Sequence, residues 1–488
     1  MPRARWTLVA AFILAMPLAA PAANRCADVL ARIGSSLADA TCVASSDLTT
    51  ANPATTPADN SLPGLPTGAF TPRTDRDTIA PSAAFRPPIT RAVPGIQIDA
   101  RLASDPTGQA RFLLRLPNDW NGRLVVAGAS GTRSEFNGDI AWSDYVVQKG
   151  YAYASQNKGV LNLFFSTAAD PLACRLNPSF PFYVHFYDND AGQPFSRWAQ
   201  FMIAAADLAV DGVKAAYGRP PKYTYAVGTS NGGYQVRRAV ELAPKLFDGG
   251  VDWEGTFVDP AGPNILTDLP PAILNYPDYV ASARNADSTA ARNIRGAGYP
   301  PDLPGGANGS LWGNYWASFW EVTQCQWQKR LDPAYDTYGP PPGSNTGLYN
   351  YFARLSASDV GAQLASFQTT GDIQAPLVTV AGTMDALLPI DHHARAYARN
   401  VAAALGDAHG HVPQYRLYEV QNGNHIEAYK DTFPQLELIM PHAQHAFDLM
   451  VKYVEQGVAL PPSQCIPHGG SIAASPAQPG HCANLFEP

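Results

Sequence analysis

The run Tyr223-Thr-Tyr-Ala-Val-Gly-Thr-Ser-Asn-Gly-Gly233 constrains this chain more than any other stretch. A β-branched and aromatic strand enters Gly228-x-Ser230-x-Gly232, and a stretch free of helix breakers, 234–242, follows at once as a helix. A strand, a turn and a helix joined this tightly force the central residue into a strained backbone, its side chain clear of the sheet. Glycine is needed at 228 and 232 because a β-carbon at either place would collide with the neighbouring strand or helix. Ser230 is therefore the candidate nucleophile, and the backbone N–H of Asn231, at the helix start, faces a developing oxyanion.

A serine hydroxyl is a poor nucleophile at neutral pH and needs a base with an orienting acid. In strand–elbow–helix hydrolases these follow in the order acid, then histidine. Asp385 stands just past the apolar run Leu377-Val-Thr-Val-Ala, in a strand-end loop of the kind where α/β sheets carry functional groups. The other reading of Asp385 is a turn cap. His425 lies in Asn422-Gly-Asn-His-Ile-Glu427, directly after a predicted strand over 414–420. Its rivals are less well placed: His392 and His393 open a helix, His409 and His411 sit in a loop, and His442 and His445 lack a third metal ligand at matching spacing. Asp252 and Glu254, after the next strand, are alternative acids, and Trp253 and Glu254 are candidate pocket-lining residues. The second oxyanion donor is expected in Gly128-Ala-Ser-Gly131, with Ala129 or Ser130 favoured.

The first 23 residues read as an export leader: Arg3 and Arg5, then an apolar run over 8–18, then small residues at 20–22. That apolar run is short for a bilayer, so a soluble exported protein is expected, with no membrane partner. The six cysteines fit an oxidising compartment. Proximity favours Cys26–Cys42 and Cys465–Cys482, which leaves Cys174–Cys325; no C-x-x-C is present to support zinc. A net charge of −7 without basic clusters argues against a nucleic-acid partner.

Residues 24–95 read as an extended N-terminal arm, rich in Pro, Thr, Ser and Ala from 44 onward. From 96 the pattern turns to strands (96–102, 110–116, 124–127, 151–155), a helix over 195–217, the Ser230 strand, and further strands at 248–253, 375–382 and 414–420. Pro441 is placed to open a last helix, through 456. Alternating strands and helices predict an α/β fold: a mostly parallel sheet with helices on both faces. The core is expected over 96–252 and 370–488, interrupted at 253–369 by a cap rich in Pro, Gly and aromatics. Trp312, Trp316 and Trp320 recur every four residues, so they are expected to share one helix face, either in the cap core or as an aromatic wall over the active site.

At this point the chain resembles the tannase and feruloyl esterase family of secreted hydrolases. The resemblance rests on the Cys26 region, Leu116-Pro-x-x-Trp-Asn-Gly-Arg123, the Ser230 elbow, the large cap, and the Asp385 and His425 loops. It implies an α/β-hydrolase fold and an exported serine carboxylic-ester hydrolase with a Ser230–His425–Asp385 triad. In that family cysteines flank the nucleophile and the histidine; here Thr229 and Ile426 stand there, which marks a distant branch or a neighbouring family. The family's cap often holds calcium, but 253–369 shows no acidic loop for it and the Asp188-Asn-Asp-Ala-Gly192 stretch reads as a plain turn, so no cofactor is expected. The aromatic cap predicts a bulky small-molecule or oligomeric ester, either an aromatic acyl ester or a hydroxyacid oligomer. The same apparatus could cleave an amide, and a non-catalytic binding protein on this scaffold is the third alternative.

Overall fold

The computed structural model describes residues 22–488 apart from 64, 66, 67, 132, 133, 178, 181, 182, 186–194, 336–345 and 407–413. The expected leader up to residue 21, the 188–192 turn, and His409 and His411 lie outside the described residues.

Ten strands, most of them buried over most of their length, assemble one large sheet. In chain order they are β1 (Leu37–Ser45), β2 (Gly95–Leu102), β3 (Arg111–Pro117), β4 (Arg123–Gly128), β5 (Ala152–Gln156), β6 (Tyr223–Thr229), β7 (Gly249–Trp253), β8 (Leu377–Gly382), β9 (Tyr415–Val420) and β10 (Gln464–Ile466). They lie in the order β1-β2-β3-β5-β4-β6-β7-β8-β9-β10. The first three pairings, β1–β2, β2–β3 and β3–β5, are antiparallel, and every pairing from β5 to β10 is parallel.

The parallel strands are apolar on both faces because helices cover both. Leu124, Val126 and Ala226 face helices α1 (Ala22–Ile33), α2 (Arg197–Tyr217) and α3 (Asn231–Leu242), in one buried cluster with Val29, Ile33 and Val236. Val125, Ala127 and Val227 face the opposite layer, where Trp142, Ala443, Phe447 and Met450 form a second cluster. The last three belong to the final helix, Met440–Gln456, with Pro441 in its first turn as its fixed φ favours. The fold is that of an α/β hydrolase.

The N-terminal arm departs from expectation. Its first part is regular: the apolar face of α1 (Val29, Ile33) is buried beneath α2, and β1 extends the sheet edge, with Cys26–Cys42 tying the two. Only the Pro- and Thr-rich remainder, from 46 to 94, is irregular apart from three short helical turns.

Between β7 and β8 the chain builds the cap: helices α4 (Ile265–Ala281) and α5 (Glu321–Leu331), with shorter helical segments between and after them. A second piece joins from before the nucleophile strand. The small sheet Phe164–Ser166, Tyr183–His185 and Cys174–Arg175 is bridged to α5 by Cys174–Cys325, and Lys329 Nζ on α5 donates to Ala173 O at 2.7 Å. The cap thus draws on two insertions rather than on 253–369 alone. Cys465–Cys482 closes the third expected disulfide, at the C-terminus.

Trp312 and Trp320 are fully buried in the cap's own cluster, whereas Trp316 is only partly buried, stacked on Tyr276 at 5.4 Å. The turn Trp316–Trp320 is π-helical. All three tryptophans nonetheless meet one helix, α4, through Tyr276 and Tyr279, so the stripe serves the cap core, one of its two expected roles, rather than an aromatic wall over the active site.

The sheet meets α3 through backbone alone. A β-carbon on Gly232 would lie 2.6 Å from Gly128 O, and β-carbons on Gly128 and Gly228 would each strike Gly232. Gly232→Ala should therefore force β4 and α3 apart, lowering stability by about 1–3 kcal/mol. A shifted midpoint in denaturant unfolding measures this; an unchanged midpoint would show that the contact is slack.

Candidate active site

Ser230 sits at the β6–α3 junction with φ 59° and ψ −123°. The turn is held by Ser230 N donating to Trp253 O at 2.9 Å and by Tyr234 N donating to Ser230 O at 2.9 Å. A positive φ on a non-glycine residue is costly and persists only where its surroundings over-determine it. Here it lifts the hydroxyl off the end of the sheet.

The β8 and β9 loops supply the partners. His425 Nε2 lies 3.0 Å from Ser230 Oγ, and Nδ1 lies 2.7 Å from Asp385 Oδ2. Asp385 Oδ1 accepts from Leu387 N and Leu388 N, both at 2.7 Å, which locks the carboxylate. The His425 loop turns at Asn422, φ 65°, whose Nδ2 donates to Gln435 O at 3.0 Å. The two loops are tied to each other by Met384 N donating to Gly423 O at 2.7 Å. All three side chains are nearly inaccessible. A hydroxyl, imidazole and carboxylate in this chain can move the serine proton to the imidazole while the carboxylate holds its tautomer.

A second carboxylate adjoins the histidine. Glu254, φ 51°, places Oε2 at 3.5 Å from His425 Nδ1, farther than Asp385, and its Oε1 accepts from Gly382 N at 2.9 Å. Burial, reinforced by the neighbouring Asp385 carboxyl, pushes Glu254 well above the ordinary carboxylate range. Asp252, the other acid considered, points into the core, bonded to Arg237 Nε at 2.6 Å and Thr379 Oγ1 at 2.8 Å. His392 and His393 bracket Asp268 at 3.1 and 3.2 Å, and His442 is buried on the last helix with its pKa lowered by desolvation; none of them joins the Ser230 chain. Glu254, Asp385 and His425 are also the one group among the described residues whose donor atoms cluster as metal ligands would. Among the described cap residues no three His, Cys, Asp or Glu donor atoms cluster as metal ligands would.

The oxyanion side needs a correction. Ala129 N–H is taken by Gln235 Oε1 at 2.9 Å and Ser130 N–H by Asn137 Oδ1 at 3.1 Å, so neither is available. The next N–H, that of Gly131, lines the cleft and donates to no described residue. Its direction is set by a group that sequence reasoning missed. The buried Lys158 ammonium accepts no bond but donates to Ser130 O and Gly131 O, both at 2.6 Å. In a trans peptide the N–H opposes the C=O. Holding Ser130 O at Lys158 therefore turns Gly131 N–H away from the ammonium. Only the positive φ of Lys158, invisible in the sequence, places it there.

A cleft opens over Ser230 and His425. Its walls are mainly aliphatic, with Ile79, Ile265, Leu387, Leu388 and Ile426, and its aromatics are Phe319 and Trp327. Trp312, Trp316 and Trp320 do not line it, and Trp253 lines a neighbouring chamber instead. The cap aromatics act one step back: Trp320 Nε1 donates to Ala386 O at 2.6 Å, and Tyr315 Oη donates to Asn424 Oδ1 at 2.8 Å. Each bond grips a residue adjacent to Asp385 or His425.

Comparison with known proteins adds three findings. Residues 345–485 match the family model described as 3HB-oligomer hydrolase (3HBOH), a stretch that contains Asp385 and His425 but not Ser230. The chain is 34% identical over 125 residues to the D-(-)-3-hydroxybutyrate oligomer hydrolase of Burkholderia thailandensis, covering 24% of this chain and 17% of that protein. The Burkholderia mallei protein of the same name is 33% identical over the same length and shares. The chain thus spans about a sixth of the length of these relatives. Among solved structures, feruloyl esterase B from Aspergillus oryzae aligns with TM-score 0.47 and 15% identity, covering 78% of this chain and 85% of that one. Tannin acyl hydrolase from Aspergillus niger aligns at 0.45 and 12%, covering 77% and 81%.

Two predictions follow from the site's charges. Lys158→Met should lower kcat about tenfold or more while KM changes little, because the donor it aims acts on the transition state. Equal loss in both constants, or none, would remove Lys158 from the oxyanion side. Burial raises Glu427, beside this loop, from 4.5 to about 8, so the fold favours its protonated form. Its contribution to stability is complete below about pH 4.5 and is lost as pH rises through about 8. Glu254 acts in the same direction, so Glu427→Gln should flatten part of the decline in thermal midpoint across that window.

Proposed function

We propose that this chain is an exported serine ester hydrolase that cleaves short oligomers of an aliphatic hydroxyacid. The observation that carries the reading is the unbroken hydrogen-bonded chain from Ser230 Oγ through His425 to Asp385, opening into an apolar cleft. Ser230 Oγ attacks the ester carbonyl as His425 Nε2 takes its proton. The tetrahedral oxyanion is met by Asn231 N–H and Gly131 N–H, each donor contributing about 3 kcal/mol. Collapse releases the alcohol, protonated by His425, and leaves an acyl-serine; water enters by the same route and frees the acid. Asp385 holds Nδ1–H throughout.

For the substrate class, the aliphatic walls of the cleft favour a methyl-bearing chain over a flat aromatic ring, which supports the hydroxyacid alternative over the aromatic acyl one. The similarity over 345–485 to hydroxybutyrate oligomer hydrolases supports the same choice. Export is supported by the leader-like start of the sequence and by three disulfides, and no described helix is long and apolar enough to cross a membrane.

Ser230→Ala should lose at least about three orders of magnitude in kcat on 3-hydroxybutyrate oligomers with the fold intact, and Asp385→Asn should be severely impaired. A panel of such oligomers, aromatic esters and peptides decides the class: highest kcat/KM on an aromatic ester or a peptide refutes the substrate, and full activity of Ser230→Ala refutes the mechanism.

A further inference from the structure

Beside the cleft lies a second chamber, walled by Ile140, Trp142, Trp253 and Met440 and by Arg76 and Glu427. It shares Ile79, Thr229 and His425 with the cleft but does not include Ser230. The two spaces therefore meet at the histidine, the group that must protonate the departing oxygen.

Three residues on its walls carry a buried polar atom outside hydrogen-bond geometry; Trp253 Nε1 faces the Glu254 carboxyl, which leaves Glu427 Oε2 and Trp142 Nε1, on side chains 7% and 1% exposed. The other Glu427 oxygen is used, accepting from Ile439 N at 2.7 Å and Met440 N at 3.3 Å. That leaves the proton of the carboxylic acid on Oε2, and burial keeps the acid protonated up to about pH 8. Both unpaired groups are then donors. Arg76 is already engaged with both oxygens of Asp77, at 2.9 and 3.1 Å, and with Thr56 Oγ1 at 3.1 Å. An apolar chamber with two unmatched donors is completed by a ligand that carries acceptors and no excess of donors.

We infer that this chamber is the leaving-group subsite, and that it takes an alcohol bearing an ester or carboxylate, that is, the next hydroxyacid unit of the oligomer. The inference rests on the ester-hydrolase reading and assigns the two spaces: the acyl part lies in the cleft beside Ser230 and Gly131, the alcohol part beyond His425. A plain alkyl alcohol would fill the chamber yet leave both donors buried and unpaired, which weakens its binding relative to a hydroxyacid of equal size.

Two esters with the same butyryl group separate the cases: butyl butyrate, and the butyryl ester of 3-hydroxybutyrate. The wild type should favour the second by about tenfold or more in kcat/KM. Trp142→Phe removes one donor and should cut that preference about tenfold, whereas Glu427→Gln keeps an N–H in place of the O–H and should retain it. In parallel, calorimetry with 3-hydroxybutyrate on Ser230→Ala should show binding that weakens by a similar factor when Trp142→Phe is added. Equal kcat/KM for the two esters, or an unchanged preference and affinity in Trp142→Phe, overturns the assignment. Hydroxyacid binding that depends on Trp142 in a protein that cleaves neither ester would leave the subsite standing and refute the ester-hydrolase reading instead.

Discussion

Everything at this site depends on three glycines that bring backbone into contact with backbone. Gly128 ends β4, Gly228 ends the strand before the elbow, and Gly232 opens α3, each where a β-carbon on it would strike another of the three. Because α3 can start that close to the sheet, Ser230 is forced into its positive-φ conformation and stands above the strand ends. The same contact brings the 128–131 loop alongside the nucleophile. Nucleophile and oxyanion loop are thus fixed by one steric constraint, and neither can be moved without the other.

The electrostatics are arranged around that frame. Two carboxylates lie near one imidazole nitrogen, and like charges so close cannot both persist in a buried site. The environment resolves the conflict: Asp385 carries two backbone N–H bonds on one oxygen and the histidine on the other, while Glu254 has only one backbone donor and a bare second oxygen. With fewer donors in an equally buried place, Glu254 is the one raised above the ordinary carboxylate range. Opposite them, the buried Lys158 ammonium donates to the carbonyls of Ser130 and Gly131, a pairing that orients the peptides of the 128–131 loop.

Much of this was legible in the residues. The Ser230 elbow, the strand-end positions of Asp385 and His425, and the α/β alternation are local patterns, and local backbone preference dictates them. The arm was misread because Leu37-Ala-Asp-Ala-Thr-Cys-Val-Ala-Ser carries too few large apolar residues to announce an edge strand, which needs only one covered face. Of the two roles expected for the tryptophan stripe, the cap core holds and the wall over the active site does not: Trp312, Trp316 and Trp320 pack on Tyr276 and Tyr279 and none lines the cleft, a choice that depends on tertiary contacts the four-residue spacing does not encode. Ala129 and Ser130 were set aside by Gln235 and Asn137, acceptors brought in from α3 and from a few residues onward in the same loop. Spacing along a chain carries no information about such partners.

The bonds from the cap to the triad loops carry a consequence for how this architecture can change. Trp320 grips the residue after Asp385 and Tyr315 the residue before His425, while Cys174–Cys325 laces the two cap insertions into one body. The cap is therefore an interlock as well as a cover. Displacing it would break both bonds to the loops that carry Asp385 and His425. A protein built this way cannot acquire a new roof by simple exchange of the insertion; any replacement must also supply the two handholds beneath it.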